Sequence, residues 1–249
     1  MMAAEQPKLI VAADAEALAQ TAAERVMARI AANPSRIAIC LTGGSSPKKL
    51  YQLLGSDAWR ERIPWERVHW FIGDERFVPE SDPLNNMAVA RATFLDRSAP
   101  SGHIHPIPTT TENPDRSAET YAHELQAFYG ADRLDPARPL FDMVLMGAGP
   151  DGHTASLFPG YPEIEKTERW VIGVLKANVA PFVPRVSLTL PVLASCREML
   201  FEIAGHDKRA ILTRLLNGET LPALRARSNG ETVWLVDQAA LPEGIRGGR

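Results

Sequence analysis

Residues 140–159 read LFDMVLMGAGPDGHTASLFP. Phe141, Met143, Val144, Leu145 and Met146 make a short apolar run broken by one acid. That length and composition suit a strand buried on both faces of a parallel sheet. Gly147, Gly149, Pro150 and Gly152 then force a turn, with Asp151 and His153 inside it, and Thr154 to Leu157 read as the first turn of a helix. A strand that ends in a glycine-rich loop and opens a helix is where α/β proteins bind ligands. The glycines permit positive φ and close approach of backbone to a ligand. An acid and an imidazole two residues apart supply a titratable pair near neutral pH. A lone histidine in such a turn often only caps or packs locally; Asp151 and four turn-formers beside His153 favour a site.

The same alternation repeats on either side. Leu9 to Ala13 reads as a strand, and Asp14 can cap a helix to about Ala32 with Ala15, Leu18, Ala22, Val26 and Ile30 at helical spacing. Arg36 to Thr42 is a second buried strand, ending in Thr42-Gly43-Gly44-Ser45-Ser46-Pro47; Ser46 suits the N-cap and Pro47 the first helical position. Arg67 to Gly73 is a third strand, followed by Asp74, Glu75 and Arg76 and a helix from Asn85 to about Leu95. A short strand around Ile104 and a helix from Asp115 to about Phe128 precede the opening stretch. After it, Trp170 to Leu175, Arg185 to Leu190, Glu198 to Ala204 and Thr232 to Val236 read as strands, and a helix runs from Lys208 to about Asn217. Arg185 to Leu190 alternates in a way that suits an edge or antiparallel position. The expected fold is α/β: a doubly wound, mostly parallel, Rossmann-like sheet with helices on both faces. Residues 1–249 form a single domain with or without a small inserted unit.

The chain has 249 residues, a formal net charge of −3 and 45% hydrophobic residues, which describes an ordinary globular protein. No broad basic field for nucleic acid or an anionic membrane is implied. Cys40 and Cys196 lie in apolar runs and read as buried thiols rather than a disulfide. The first eleven residues hold one Lys and an apolar run of about five, too short for a secretory leader. Nothing later approaches a membrane span, so the cytoplasm is expected. Neither nucleic acid nor membrane is an expected partner, and self-association is expected to stop at a monomer or a weak homo-oligomer.

In a parallel sheet the loops after strands line one edge, so Thr42–Pro47, Gly73–Arg76, Gly147–His153 and Gly205–Lys208 can converge. The Thr42–Pro47 loop, entering a helix N-terminus, can hold a phosphate or another anion, or it can be a simple cap and turn. It lacks both the Walker spacing and the dinucleotide Gly-x-Gly-x-x-Gly pattern, so no nucleotide cofactor is indicated. Lys208 and Arg185 stand at strand edges, where an anion clamp would need them, although isolated cations are usually solvated surface. Asp74, Glu75 and Arg76 follow a buried strand directly, as a site or as a salt-bridged loop. No histidine, cysteine or acid cluster has zinc spacing, and no Gly-x-Ser-x-Gly elbow is present. What remains is an Asp–His general base beside an anion pocket, with no metal and no cofactor expected.

These segments resemble the 6-phosphogluconolactonase family, within the superfamily of glucosamine-6-phosphate deaminase and ribose-5-phosphate isomerase. The resemblance rests on Leu41 to Pro47, on Gly73 to Pro79 with Ser81-Asp82 and Asn85-Asn86, on Gly147 to Pro159, on Pro184 to Thr189 and on Gly205 to Lys208. It implies hydrolysis of 6-phospho-D-glucono-1,5-lactone to 6-phosphogluconate in the oxidative pentose phosphate pathway. His153 would activate water, and Asp151, with Asp74, would orient the imidazole or substrate hydroxyls. Gly43, Gly44, Ser45, Arg76, Arg185 and Lys208 would hold the phosphate and the sugar. Deaminases of the superfamily carry a Glu five residues after the loop histidine, where this chain has Phe158. The alternatives are a sugar-phosphate isomerase or deaminase, and a sensor without turnover. About eight residues precede the first strand, which is expected to leave no room for a DNA-binding segment.

Overall fold

The computed structural model describes residues 6–245; residues 1–5, part of the segment read for a leader, lie outside it. Ten strands form two sheets. The larger holds β1 (Lys8–Ala12), β2 (Ile37–Leu41), β3 (Val68–Ile72), β5 (Ile104–His105), β6 (Phe141–Met146), β9 (Cys196–Ile203) and β10 (Glu231–Asp237). Its order is β1-β10-β9-β6-β2-β3-β5, and every pairing in it is parallel. All residues of β2 and β6 are buried, which is why their sequences run apolar without alternation. The acid inside β6, Asp142, accepts hydrogen bonds from the Ala38 N–H and the Asn33 amide and so tolerates burial.

Helix Ala15–Ala32 starts where Asp14 accepts from the Ala17 N–H at 2.8 Å. It buries Leu18, Ala22, Val26 and Ile30 towards the sheet. Its Arg25 and Arg29 both reach the buried carboxylate of Glu198 in β9. Among the described residues no helix is long and apolar enough to cross a membrane.

The winding decides where a ligand can go. From β2 the chain moves outward through β3 to β5; from β6 it moves the other way, through β9 to β10. β2 and β6 are neighbours, so the order reverses between them, and the loops beyond their ends flank a crevice. A second sheet, β4 (Asp74–Arg76), β8 (Arg185–Leu188) and β7 (Val171–Val174), walls that edge. It is antiparallel, with Asp74 opposite Ser187 and Arg76 opposite Arg185, so the alternating stretch at 185 pairs on both sides as the middle strand.

Two helix starts differ from the sequence expectation. The helix after β2 is Lys48–Gly55, with Pro47 at the cap position and no side-chain cap from Ser46. Gly44, at φ +91°, turns the backbone first, and a Ser45-to-Lys48 turn precedes the helix, leaving Ser45 and Ser46 facing the crevice. Thr154 to Leu157 is no helix: Ala155 takes φ +47°, Thr154 and Leu157 pair across a tight bridge, and the Thr154 hydroxyl bonds the Gly147 carbonyl.

Candidate active site

The crevice holds a cleft of about 170 Å³ lined by all four loops expected to converge. Gly43, Gly44 and Ser45 come from the loop after β2; Asp74 and Arg76 from β4; His153 from the loop after β6; Arg185 from β8; and Lys208 from the turn after β9. Asp151 stands behind the imidazole rather than on the cleft wall.

The loop after β6 builds the Asp–His pair from its own backbone. Gly152, at φ +92°, closes a turn in which its N–H donates to the Gly149 carbonyl and the Gly149 N–H donates to the His153 carbonyl. Asp151 Oδ1 accepts from the His153 N–H and lies 2.5 Å from His153 Nδ1. A carboxylate can only accept, so Nδ1 carries a proton, and in the neutral ring Nε2 then holds the lone pair. Burial works to raise the Asp151 carboxyl, but the hydrogen bonds from His153 outweigh it and hold it below its ordinary value. Gly149 is required by packing: a Cβ there would sit 2.0 Å from the His153 ring. The ring also meets Phe158, tilted against it with centroids 5.0 Å apart, and Phe158 is buried.

Asp74 is buried, and its Oδ2 accepts from the Ser156 hydroxyl at 2.6 Å. The unusual φ of Ala155 brings Ser156 to this position, and the Ser187 hydroxyl accepts from the Ser156 N–H. Arg185 is buried, bonded to the carbonyls of Val183 and Pro181, and burial lowers its pKa without removing its charge. Arg76 donates to the Leu84 carbonyl and Lys208 to the Ala148 carbonyl.

Glu75 and His206 do not join the cleft. Glu75 is fully buried and accepts from the N–H groups of Arg76, Asn86 and Met87, tying β4 to helix Asn86–Ala90; burial pushes its pKa up to about 7. His206 opens an exposed turn. The sequence reading gave no site role to Asn86 or Ser156, and took Ser46 only as a helix cap. Asn86 lines the cleft beside Gly43, whose missing Cβ would fall 2.1 Å from Asn86 Oδ1.

Residues 13–234 match the model of a family described as glucosamine-6-phosphate isomerases/6-phosphogluconolactonase. The chain is 37% identical to the 6-phosphogluconolactonase of Streptomyces coelicolor over 249 residues, covering 95% of this chain and 94% of that protein. It is also 37% identical to the 6-phosphogluconolactonase of Synechocystis sp., with 81% and 82% covered. The solved structure of 6-phosphogluconolactonase from Thermotoga maritima superposes with a TM-score of 0.80 at 28% identity, covering 94% of this chain and all of that one.

Proposed function

The chain belongs to the family of glucosamine-6-phosphate isomerases and 6-phosphogluconolactonases, and from that premise we propose that it is a lactone hydrolase using His153 as general base. It opens 6-phospho-D-glucono-1,5-lactone to 6-phospho-D-gluconate, a step of the oxidative pentose phosphate pathway in the cytoplasm. The whole chain serves as one catalytic domain. The observation that carries the mechanism is the Asp151–His153 pair standing on a cleft that also presents Arg76, Arg185 and Lys208.

His153 Nε2 removes a proton from water as the water oxygen bonds to the lactone carbonyl carbon. The tetrahedral intermediate then collapses, the bond to the ring oxygen breaks, and the imidazolium returns its proton to that oxygen. Asp151 holds the tautomer that starts the cycle and steadies the imidazolium in the middle of it. General-base assistance of this kind is worth about 10²–10⁴-fold. The phosphate, held by cations and by the Gly43–Ser45 turn, supplies positioning from a remote anchor. Asp74, steadied by Ser156, accepts from substrate hydroxyls.

The deaminase alternative asks for an acid five residues beyond the loop histidine. Phe158 occupies that position, buried against the imidazole, and has no proton to move. Turnover of freshly prepared lactone above its spontaneous hydrolysis, lost on His153→Ala, tests the reading. Equal rates in the two proteins would refute it.

A further inference from the structure

Asn86 is 5% exposed, yet its side chain lines the cleft. Its backbone is fixed by the buried Glu75, whose carboxylate accepts from the N–H groups of Asn86 and Met87. Its amide nitrogen donates to the Asp74 carbonyl at 3.0 Å. A carbonyl only accepts, so this bond fixes which end of the amide is nitrogen and turns Oδ1 the other way. Oδ1 lies flat over Gly43, where no Cβ intervenes, and among the described residues no donor reaches it. The same amide also borders a neighbouring cavity of about 220 Å³ lined by Gly43, Gly44, Lys48 and Arg76, so it forms part of the partition between the two spaces.

An amide oxygen held rigidly at the cleft wall with no protein donor is left free to accept from a group in the cleft. The groups around it differ in character: Arg76, Arg185 and Lys208 only donate, Asp74 is an acid, and the Ser45 and Ser46 hydroxyls donate as well as accept, whereas this oxygen only accepts. A neutral acceptor between Asp74 and the glycine turn suits a sugar hydroxyl and not a phosphate. We infer that Asn86 is a specificity-determining residue that accepts a hydrogen bond from one ring hydroxyl of the phosphosugar lactone. The inference rests on the lactonase reading. Glu75 and Gly43 act through it as positioning residues, one setting its backbone and the other clearing its approach.

The test measures kcat/KM for the full lactone and for its 2-, 3- and 4-deoxy analogues, in the wild-type protein and in Asn86→Ala. Wild-type protein should favour the full lactone over one analogue by about tenfold, the order of magnitude of one hydrogen bond. In Asn86→Ala that preference should fall to about one, with the other two preferences unchanged. Each preference is a ratio within one preparation, so partial unfolding of the variant cancels. If the variant loses activity on all four substrates in equal proportion, Asn86 is merely structural and the inference fails. Wild-type protein that hydrolyses none of the four would overturn the lactonase reading, and the inference with it.

Discussion

Glu202 sits near the end of β9 with 1% of its surface exposed, and neither carboxylate oxygen has a hydrogen-bond partner among the described residues. Burial pushes its pKa from 4.5 up to about 8. An acid whose pKa rises on folding holds its proton more tightly in the folded state than in the unfolded one. Its contribution to stability is therefore intact below the unfolded value, falls as pH climbs from 4.5 towards 8, and is flat above. Between pH 5.5 and pH 8.5 the protein should therefore lose roughly 3 kcal/mol through this one group. Glu202→Leu removes the titration and keeps an apolar side chain of similar size. Urea unfolding of both proteins at pH 5.5, 7.0 and 8.5 should show the variant gaining on the wild type by roughly 3 kcal/mol across the series. Glu75, whose pKa is pushed up to about 7, titrates in both proteins and so drops out of the difference. Stability curves that stay parallel with pH would refute the claim that Glu202 is buried without a partner.

His153→Ala should abolish most lactonase activity while 6-phosphogluconate affinity, measured by calorimetry, stays within several-fold. Asp151→Asn should lower kcat by about 10²-fold or more with little change in KM, because an amide can donate to Nδ1 and stabilise the wrong tautomer. Gly149→Ala should cost a comparable factor in kcat, since its Cβ needs space now filled by the His153 ring; unchanged kcat would mean the ring position is immaterial. Lys208→Ala and Arg185→Ala should raise KM more than they lower kcat, as weakened anchoring does, and steady-state kinetics at several phosphosugar concentrations would detect the opposite.

The parallel sheet was legible because its central strands are buried on both faces. β2 and β6 spell themselves as apolar runs, and glycine, proline and asparagine mark their ends. β4 was not, for a physical reason: Asp74-Glu75-Arg76 has no strand propensity and is extended only because β8 pairs with it. The cleft residues were legible by type and by their place after strands, but their mutual arrangement was not. Nothing in the letters Thr154-Ala155-Ser156 announces a positive φ at an alanine, and that conformation carries Ser156 to Asp74. Acids inside strands were equally opaque. Asp142 and Glu198 find partners, Glu202 does not, and the local sequence around each looks alike.

That contrast bears on how the site is divided. The Asp151–His153 pair is local: two residues apart, closed by Gly152 and cleared by Gly149, it is fixed by a single loop. Asp74, Asn86 and the cations come from separate strands and turns, held in register by Ser156, Glu75 and the second sheet. Proton transfer tolerates little change in one hydrogen bond, so it gains from being encoded in one short segment. Recognition of a sugar needs groups spread over the length of a ring, which only distant segments can supply. A site built this way can change what it binds by altering the walls while leaving the proposed base untouched. Phe158 shows the converse: placed on the loop and packed against the imidazole, it leaves no second acid beside the proposed base.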